Sequence, residues 1–200
     1  MVGSGLIGAT AARLFTAVGH EVALANSRGP SSLSNLVGEI GDGARAATVE
    51  EAARFGEVVV VAVPLKAYPD LPAEAFAGKV VADANNYYPG RDGSFEALDD
   101  DRTTSSELLA EHLAVKAFNT MYYATLATEG RPDTPRDERP VLFVRADDPD
   151  AKRIVSRFSG HGRTSVGART RDRPALRRAA GAVRERTRGP RSAAALRAPS

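Results

Sequence analysis

The sequence predicts an α/β fold of the Rossmann type: a doubly wound, mostly parallel sheet with helices on both faces. Three observations carry that prediction. Gly3-Ser4-Gly5-Leu6-Ile7-Gly8 spells G-x-G-x-x-G and opens an amphipathic stretch. Val58 to Val63 is an apolar run rich in β-branched residues, the pattern of a parallel strand buried on both faces. Apolar strands alternate with helical segments, and several strands end in polar residues, where such sheets bind ligands.

The elements follow in order. Leu6, Ile7, Ala11, Leu14, Phe15 and Val18 share one face of a helix over Leu6 to Val18, which Gly19 ends. Glu21 to Ala25 is a short strand. Pro30 and the serines after it open a helix to about Glu39, closed by Gly41, and Ala44 to Ala47 is a weak strand. Thr48-Val49-Glu50-Glu51 is a capping box for a helix to Phe55. Pro64 stops the Val58–Val63 strand. A short helix at Leu65–Tyr68, a buried strand at Lys79–Ala82, a helix at Ser105–Leu113 and strands at Ala114–Phe118 and Val141–Val144 come next. Asp148-Pro149 starts a last helix that runs to about Phe158.

Composition divides the chain. The last 50 residues hold 14 of the 27 Lys and Arg residues but only 2 of the 25 acids, so residues 1–150 carry −10 and the remainder +12. Residues 1–158 are therefore expected to form the domain. Residues 159–200 are too poor in large apolar side chains to offset their ordering entropy, and are expected to be disordered. With no cysteine, disulfides and thiolate metal sites are excluded. No apolar run is long enough to span a membrane and no signal peptide is visible, so a cytoplasmic protein is expected. His20, His112 and His161 lack metal-ligand spacing, and no metal is expected.

The glycine turn has a physical role. Gly3 permits the tight turn, Gly5 lets a pyrophosphate approach the backbone, and Gly8 lets the helix pack close to the sheet. Amides near Leu6 and Ile7 then face the phosphates, with the helix dipole behind them. The next strand ends in Asn26-Ser27-Arg28-Gly29 and offers no carboxylate for a ribose 2′-hydroxyl. Arg28 can pair with a 2′-phosphate, and Asn26 and Ser27 can donate hydrogen bonds, which favours NADP over NAD. A solvated loop arginine is the plainer alternative. Val63 and Pro64 end a strand beside the expected groove. Asn85 and Asn86 end another, where they bond either a ligand amide or their own turn. Asn119 and Thr120 sit at the lip of a third. Met121, Tyr122 and Tyr123 form either a flat wall or ordinary packing. No side chain stands out as a general acid or base, which suits hydride transfer between two bound rings.

GSGLIG, ANSRGP, VVVAVP, DANNYYP and KAFNT together resemble the NADP oxidoreductase, coenzyme F420-dependent family, and are similar to the nucleotide-binding domain of membrane ferric reductases. The resemblance spans about residues 1–158. It implies a Rossmann-type NADP(H) domain that exchanges hydride with the deazaflavin F420. Ser4, Gly5, Leu6 and Ile7 would hold the pyrophosphate, and Ser27 and Arg28 the 2′-phosphate. Val63 and Pro64 would border the nicotinamide ribose, and Asn119 to Ala124 would approach the nicotinamide and its partner ring. Small-molecule cofactors are the expected partners, and a homodimer is left open.

Family proteins begin several residues earlier, so Met1 is read as an internal methionine with the first strand ahead of it. The arginine-rich tail is read as an out-of-frame product of GC-rich DNA. A genuine basic tail for nucleic acid or an acidic partner is the rival, disfavoured because the tail has no interleaved aromatic residues. A chain without that strand is expected to be poorly soluble, and a six-residue apolar extension to raise its Tm. Other functional readings are an NADPH-dependent reductase of a flavin or small carbonyl, a non-catalytic NADP(H)-binding module, and a decayed product.

Overall fold

The computed structural model describes residues 1–103, 105, 115–129 and 142–161. The expected Ser105–Leu113 helix, except for Ser105, and the arginine-rich tail beyond residue 161 lie outside the described residues. The helix α1, Leu6–Ala17, leads to strand β1, Val22–Leu24. A 3-10 turn at Pro30–Leu33 precedes helix α2, Ser34–Ile40, and strand β2 is Ala44–Ala46. Helix α3, Val49–Phe55, starts at Thr48, whose side chain accepts from Glu51 N while the Glu51 carboxylate accepts from Thr48 N. Strand β3 is Val58–Val61, β4 Val80–Asp83 and β5 Val115–Lys116. The last described helix is Pro149–His161, where Asp148 Oδ1 accepts from Asp150 N and Ala151 N at 2.8 and 3.2 Å.

β1 pairs in parallel with β2, and β3 with β4 and β4 with β5. Residues 1–3 join these two groups. Val2 forms parallel bridges to both Ala25 and Val61. Val2 N donates to Val60 O, Gly3 N to Ala25 O, Ala25 N to Met1 O and Ala62 N to Val2 O, all at 2.8 or 2.9 Å. Residues 1–3 thus stand, over a short length, at the central position between β1 and β3. The spatial order is β2, β1, residues 1–3, β3, β4, β5.

Alternating side chains send this sheet into two apolar layers. Met1, Leu24, Val60, Ala82 and Val115 pack with Ala11, Ala12 and Phe15 of α1 and with Val155 of the last helix. Val2, Val59, Val61 and Val81 pack with Ala53 of α3, Leu65, Tyr68 and Phe76 on the other face. Helices on both faces are what doubly wound means, and the fold class is as expected. Each fully buried aliphatic side chain contributes about 1.5–3 kcal/mol.

Three expectations need correction. The Ala114–Phe118 strand stops at Lys116 because Phe118 takes φ +65°, a conformation that breaks the extended chain. Within the expected Val141–Val144 strand, Leu142 and Val144 are buried, but the described pairing is an antiparallel bridge between Lys116 and Arg145. The Leu65–Tyr68 helix is a 3-10 turn, Leu65–Asp70, with Pro69 inside it, since proline cannot supply an α-helical N–H. The helix Tyr123–Thr128 was not anticipated. Among the described residues no helix is long and apolar enough to cross a membrane.

Candidate functional site

The carboxyl ends of the strands carry the polar residues named above, beginning with the glycine turn. Gly3 has φ +108°, and a Cβ there would sit 2.3 Å from Ala62 O. A Cβ on Gly8 would meet Gly3 O at 2.0 Å. Both glycines are therefore required by the protein's own packing. Gly5 differs: it precedes α1 with ordinary extended dihedrals, and a Cβ there meets nothing within 4 Å. The first turn of α1 carries no acidic residue, and Gly5 supplies no capping side chain. Its leading amides have no intrahelical acceptor, and the helix dipole adds partial positive charge there. A helix start of this kind favours an anion. Leu6 is 64% exposed and Ile7 half-buried.

The 26–32 loop stands beside it. Asn26 is buried, and its Nδ2 donates to Ser4 Oγ at 3.1 Å and to Ser32 Oγ at 3.0 Å. Its Oδ1 accepts from Arg28 N at 2.9 Å. Ser27 and Arg28 are exposed, on the loop that Asn26 ties to Ser4 of the glycine turn. Val63 and Pro64 are half-buried, and Val63 Cγ1 lies 3.1 Å from the Cβ position of Gly3.

On the other half of the sheet, β4 and β5 end in a buried polar cluster that inspection of the sequence missed. Asp83 and Lys116 are register partners, and their Oδ2 and Nζ are 2.6 Å apart. Tyr68 OH donates to Asp83 Oδ1 at 2.5 Å, and Asn85 N donates to the same oxygen at 2.8 Å. Lys116 Nζ also donates to Asn85 O. Burial first, and the Asp83 carboxylate second, push the Tyr68 hydroxyl far above its ordinary pKa, so it stays a proton donor to Asp83. The available signal was a single Asp and a single Lys at the ends of otherwise apolar strands.

The next residues along both strands hold each other. Asn86 Nδ2 donates to Asn119 O at 2.7 Å, and Asn119 Nδ2 donates to Asn86 Oδ1 at 3.1 Å. Phe118 makes this possible. Its turn points Asn119 back toward β4, while its ring is buried edge-on against Phe15 at 5.9 Å. Arg91 donates to Asn85 Oδ1 at 2.9 Å and pairs with buried Asp92 at 2.8 Å. Asp99, expected in a solvated loop, accepts from Tyr87 OH at 2.6 Å and from Ser94. Those two bonds, Ser94 first, lower its pKa.

Thr120 and Tyr122 are exposed, and Ala124 is half-buried on the Tyr123–Thr128 helix. Leu126 of that helix and Met121 join the cluster that holds Ile7 and Phe15. The 119–126 segment therefore lies against α1. The glycine turn, Asn26–Arg28 and Val63–Pro64 are neighbours, and Asn86 and Asn119 meet on the far half, next to Asn85.

Residues 1–87 match the family described as NADP oxidoreductase, coenzyme F420-dependent. A hypothetical protein from Sinorhizobium meliloti is 30% identical with a TM-score of 0.71, over 84% of this chain and 81% of that one. A protein from Arthrobacter sp. FB24, described as a candidate F420-dependent NADP-reductase, is 24% identical with a TM-score of 0.65 over the same shares, 84% and 81%. GDP-mannose dehydrogenase from Pseudomonas aeruginosa has 13% identity and a TM-score of 0.58 over 92% of this chain and 48% of its own, a likeness of fold alone. No curated protein matches.

Proposed function

The chain belongs to the NADP oxidoreductase, coenzyme F420-dependent family and is an NADP-dependent oxidoreductase, and we propose that it passes hydride between NADPH and a deazaflavin acceptor of the F420 kind. The observation that supports the cofactor assignment is the Asn26–Ser4 bond, which ties the loop that carries the exposed Arg28 to the acid-free start of α1.

The residues fit the dinucleotide on two grounds. A Cβ on Gly5 meets no protein atom, so the backbone there is open to the approach of a pyrophosphate. The nearby tip of β1 ends in a cation and has no carboxylate to repel a 2′-phosphate. Gly3, Ser4, Gly5, Leu6, Ile7 and Gly8 would cradle the pyrophosphate. Ser27 and Arg28 would take the 2′-phosphate, and Val63 and Pro64 would border the nicotinamide ribose. Asn85, Asn119, Thr120 and Ala124 stand at the half of the sheet left for the nicotinamide and the acceptor. NADPH, when bound, supplies the hydride. The protein's part is to hold both rings in line and keep water out, which needs no covalent partner from the chain. Residues 1–158 are the working unit of what we read as a cytoplasmic enzyme.

Calorimetry and anaerobic absorbance test this reading. Arg28→Ala should weaken NADP+ at least about tenfold and leave NAD+ nearly unchanged, as expected for one lost charge-assisted bond. The reduced-nicotinamide band should decay with F420 and not with FMN or a small carbonyl. Equal affinity for NADP+ and NAD+ in the unaltered chain would remove the cofactor assignment, and turnover with FMN alone would replace the acceptor.

A further inference from the structure

The amide of Asn26 is spent inside the protein. Both Nδ2 hydrogens are committed, to Ser4 Oγ at 3.1 Å and Ser32 Oγ at 3.0 Å. Oδ1 accepts from Arg28 N at 2.9 Å, closing an Asx turn, and from Ser32 Oγ at 3.1 Å. Ser32 Oγ donates onward to Gly29 O at 2.7 Å, and Gly29 takes φ +86° to bring that carbonyl round. The residue is 9% exposed, whereas Ser27, Arg28 and Ser32 around it are exposed. A side chain so engaged has no hydrogen left for a ligand phosphate unless one of these ties breaks.

We propose that Asn26 is a positioning residue for cofactor selection, tying the glycine turn to the 26–32 loop so that Arg28 is held where a 2′-phosphate must lie once the pyrophosphate sits on α1. The proposal rests on the NADP(H) reading above. Its physical basis is entropy. An arginine on a free loop must order both its backbone and its long side chain when it captures a phosphate, and that cost is subtracted from the affinity. Here the backbone share is met in the folded chain. Ser4 is the other anchor, so the spacing between the two anion seats is set by one side chain. Only an amide gives both the donors and the acceptors: aspartate would keep the acceptors for Arg28 N and Ser32 Oγ but lose both N–H donors, and alanine would lose all four bonds.

The test is titration calorimetry on the full chain with NADP+ and with NAD+, accompanied by thermal melts. Asn26→Ala should weaken NADP+ about tenfold and NAD+ less than about threefold, so that the preference between them collapses. In an Arg28→Ala background the same change should no longer alter the preference, because the group it positions is gone. Ser32→Ala removes one tie at an exposed position and should reduce the preference by a few-fold with little change in Tm. A residue that merely stabilised the loop would lower Tm and leave the ratio of the two affinities within about twofold; that result overturns the proposal, as does an Asn26→Ala effect that persists without Arg28. Should Asn26→Ala fail to fold, Ser32→Ala decides, and an unchanged ratio there also overturns it. A wild-type chain without preference for NADP+ would instead overturn the cofactor reading itself.

Discussion

Asp83 and Lys116 show what a single side chain does at the far half of the site. Their charged atoms are 2.6 Å apart, with side-chain exposures of 4% and 11%. The pair fixes Asn85 from two sides, through its N–H and its carbonyl. Removing one partner strands the other charge in the interior, which costs about 3–5 kcal/mol. Lys116→Met should therefore lower the urea midpoint strongly, while the double change Asp83→Asn with Lys116→Met should cost less than the two single changes added together. Additive costs would show that the two groups do not depend on each other. Neither residue was legible as a pair, because 33 residues separate them and only the β4–β5 register, Asp83 opposite Lys116, brings them together. Arg28 could be singled out because it stands one short loop from a strand end, a position that local spacing alone marks. Asn26 was read as a donor to the ligand, and its inward orientation depends on Ser4, Ser32 and Arg28 N, a juxtaposition that no local pattern marks.

Elements show the same division between local and tertiary causes. Helix α1 and the Thr48–Glu51 capping box were visible because a 3.6-residue period and a four-residue motif suffice to specify them. The Tyr123–Thr128 helix was not, since six residues without a capping side chain carry no local signature and Leu126 owes its burial to the cluster around α1. The three glycines of the first turn look alike in sequence, yet their neighbours separate them. Gly8→Ala would drive a methyl to 2.0 Å from Gly3 O, and should lower Tm sharply or prevent soluble expression. Gly5→Ala puts a methyl where no protein atom stands within 4 Å, and should cost under about 1 kcal/mol of stability. It should nevertheless abolish measurable NADP+ binding, because the backbone can no longer be approached. A Gly5→Ala chain that binds NADP+ as tightly as the parent would show that this turn does not seat the pyrophosphate.

At the scale of the whole molecule, one sheet depends on residues 1–3. They bond to both neighbours, and without them β1 and β3 would have no common partner. The amine of Met1 lies at that centre, donating to Ala23 O at 2.7 Å. Burial there lowers its pKa from 8.0 to about 5. In a chain whose Met1 amine is free, the unfolded state takes up a proton below pH 8, whereas the folded state refuses it until about pH 5. The unfolded chain thus binds more protons across that window, and stability must fall as pH falls through it. The contribution is whole above pH 8 and declines by at most about 1.4 kcal/mol per pH unit, a loss of about 4 kcal/mol by pH 5. The depressed carboxylates Asp92 and Asp99 act in a separate window, since their contribution is lost only below the ordinary aspartate range. Acetylating the amine, or adding β-branched residues before Met1, replaces the ammonium with an amide that can still donate to Ala23 O. The added backbone continues the ladder between β1 and β3. Urea titrations at pH 8 and pH 6 should therefore show the free-amine chain losing stability on acidification and the acetylated or extended chain holding it, with the extended chain melting higher. Parallel losses in all three would mean that the amine is hydrated in solution, and that the sheet does not close around residues 1–3 as the bonds to Val60, Ala25 and Ala23 require.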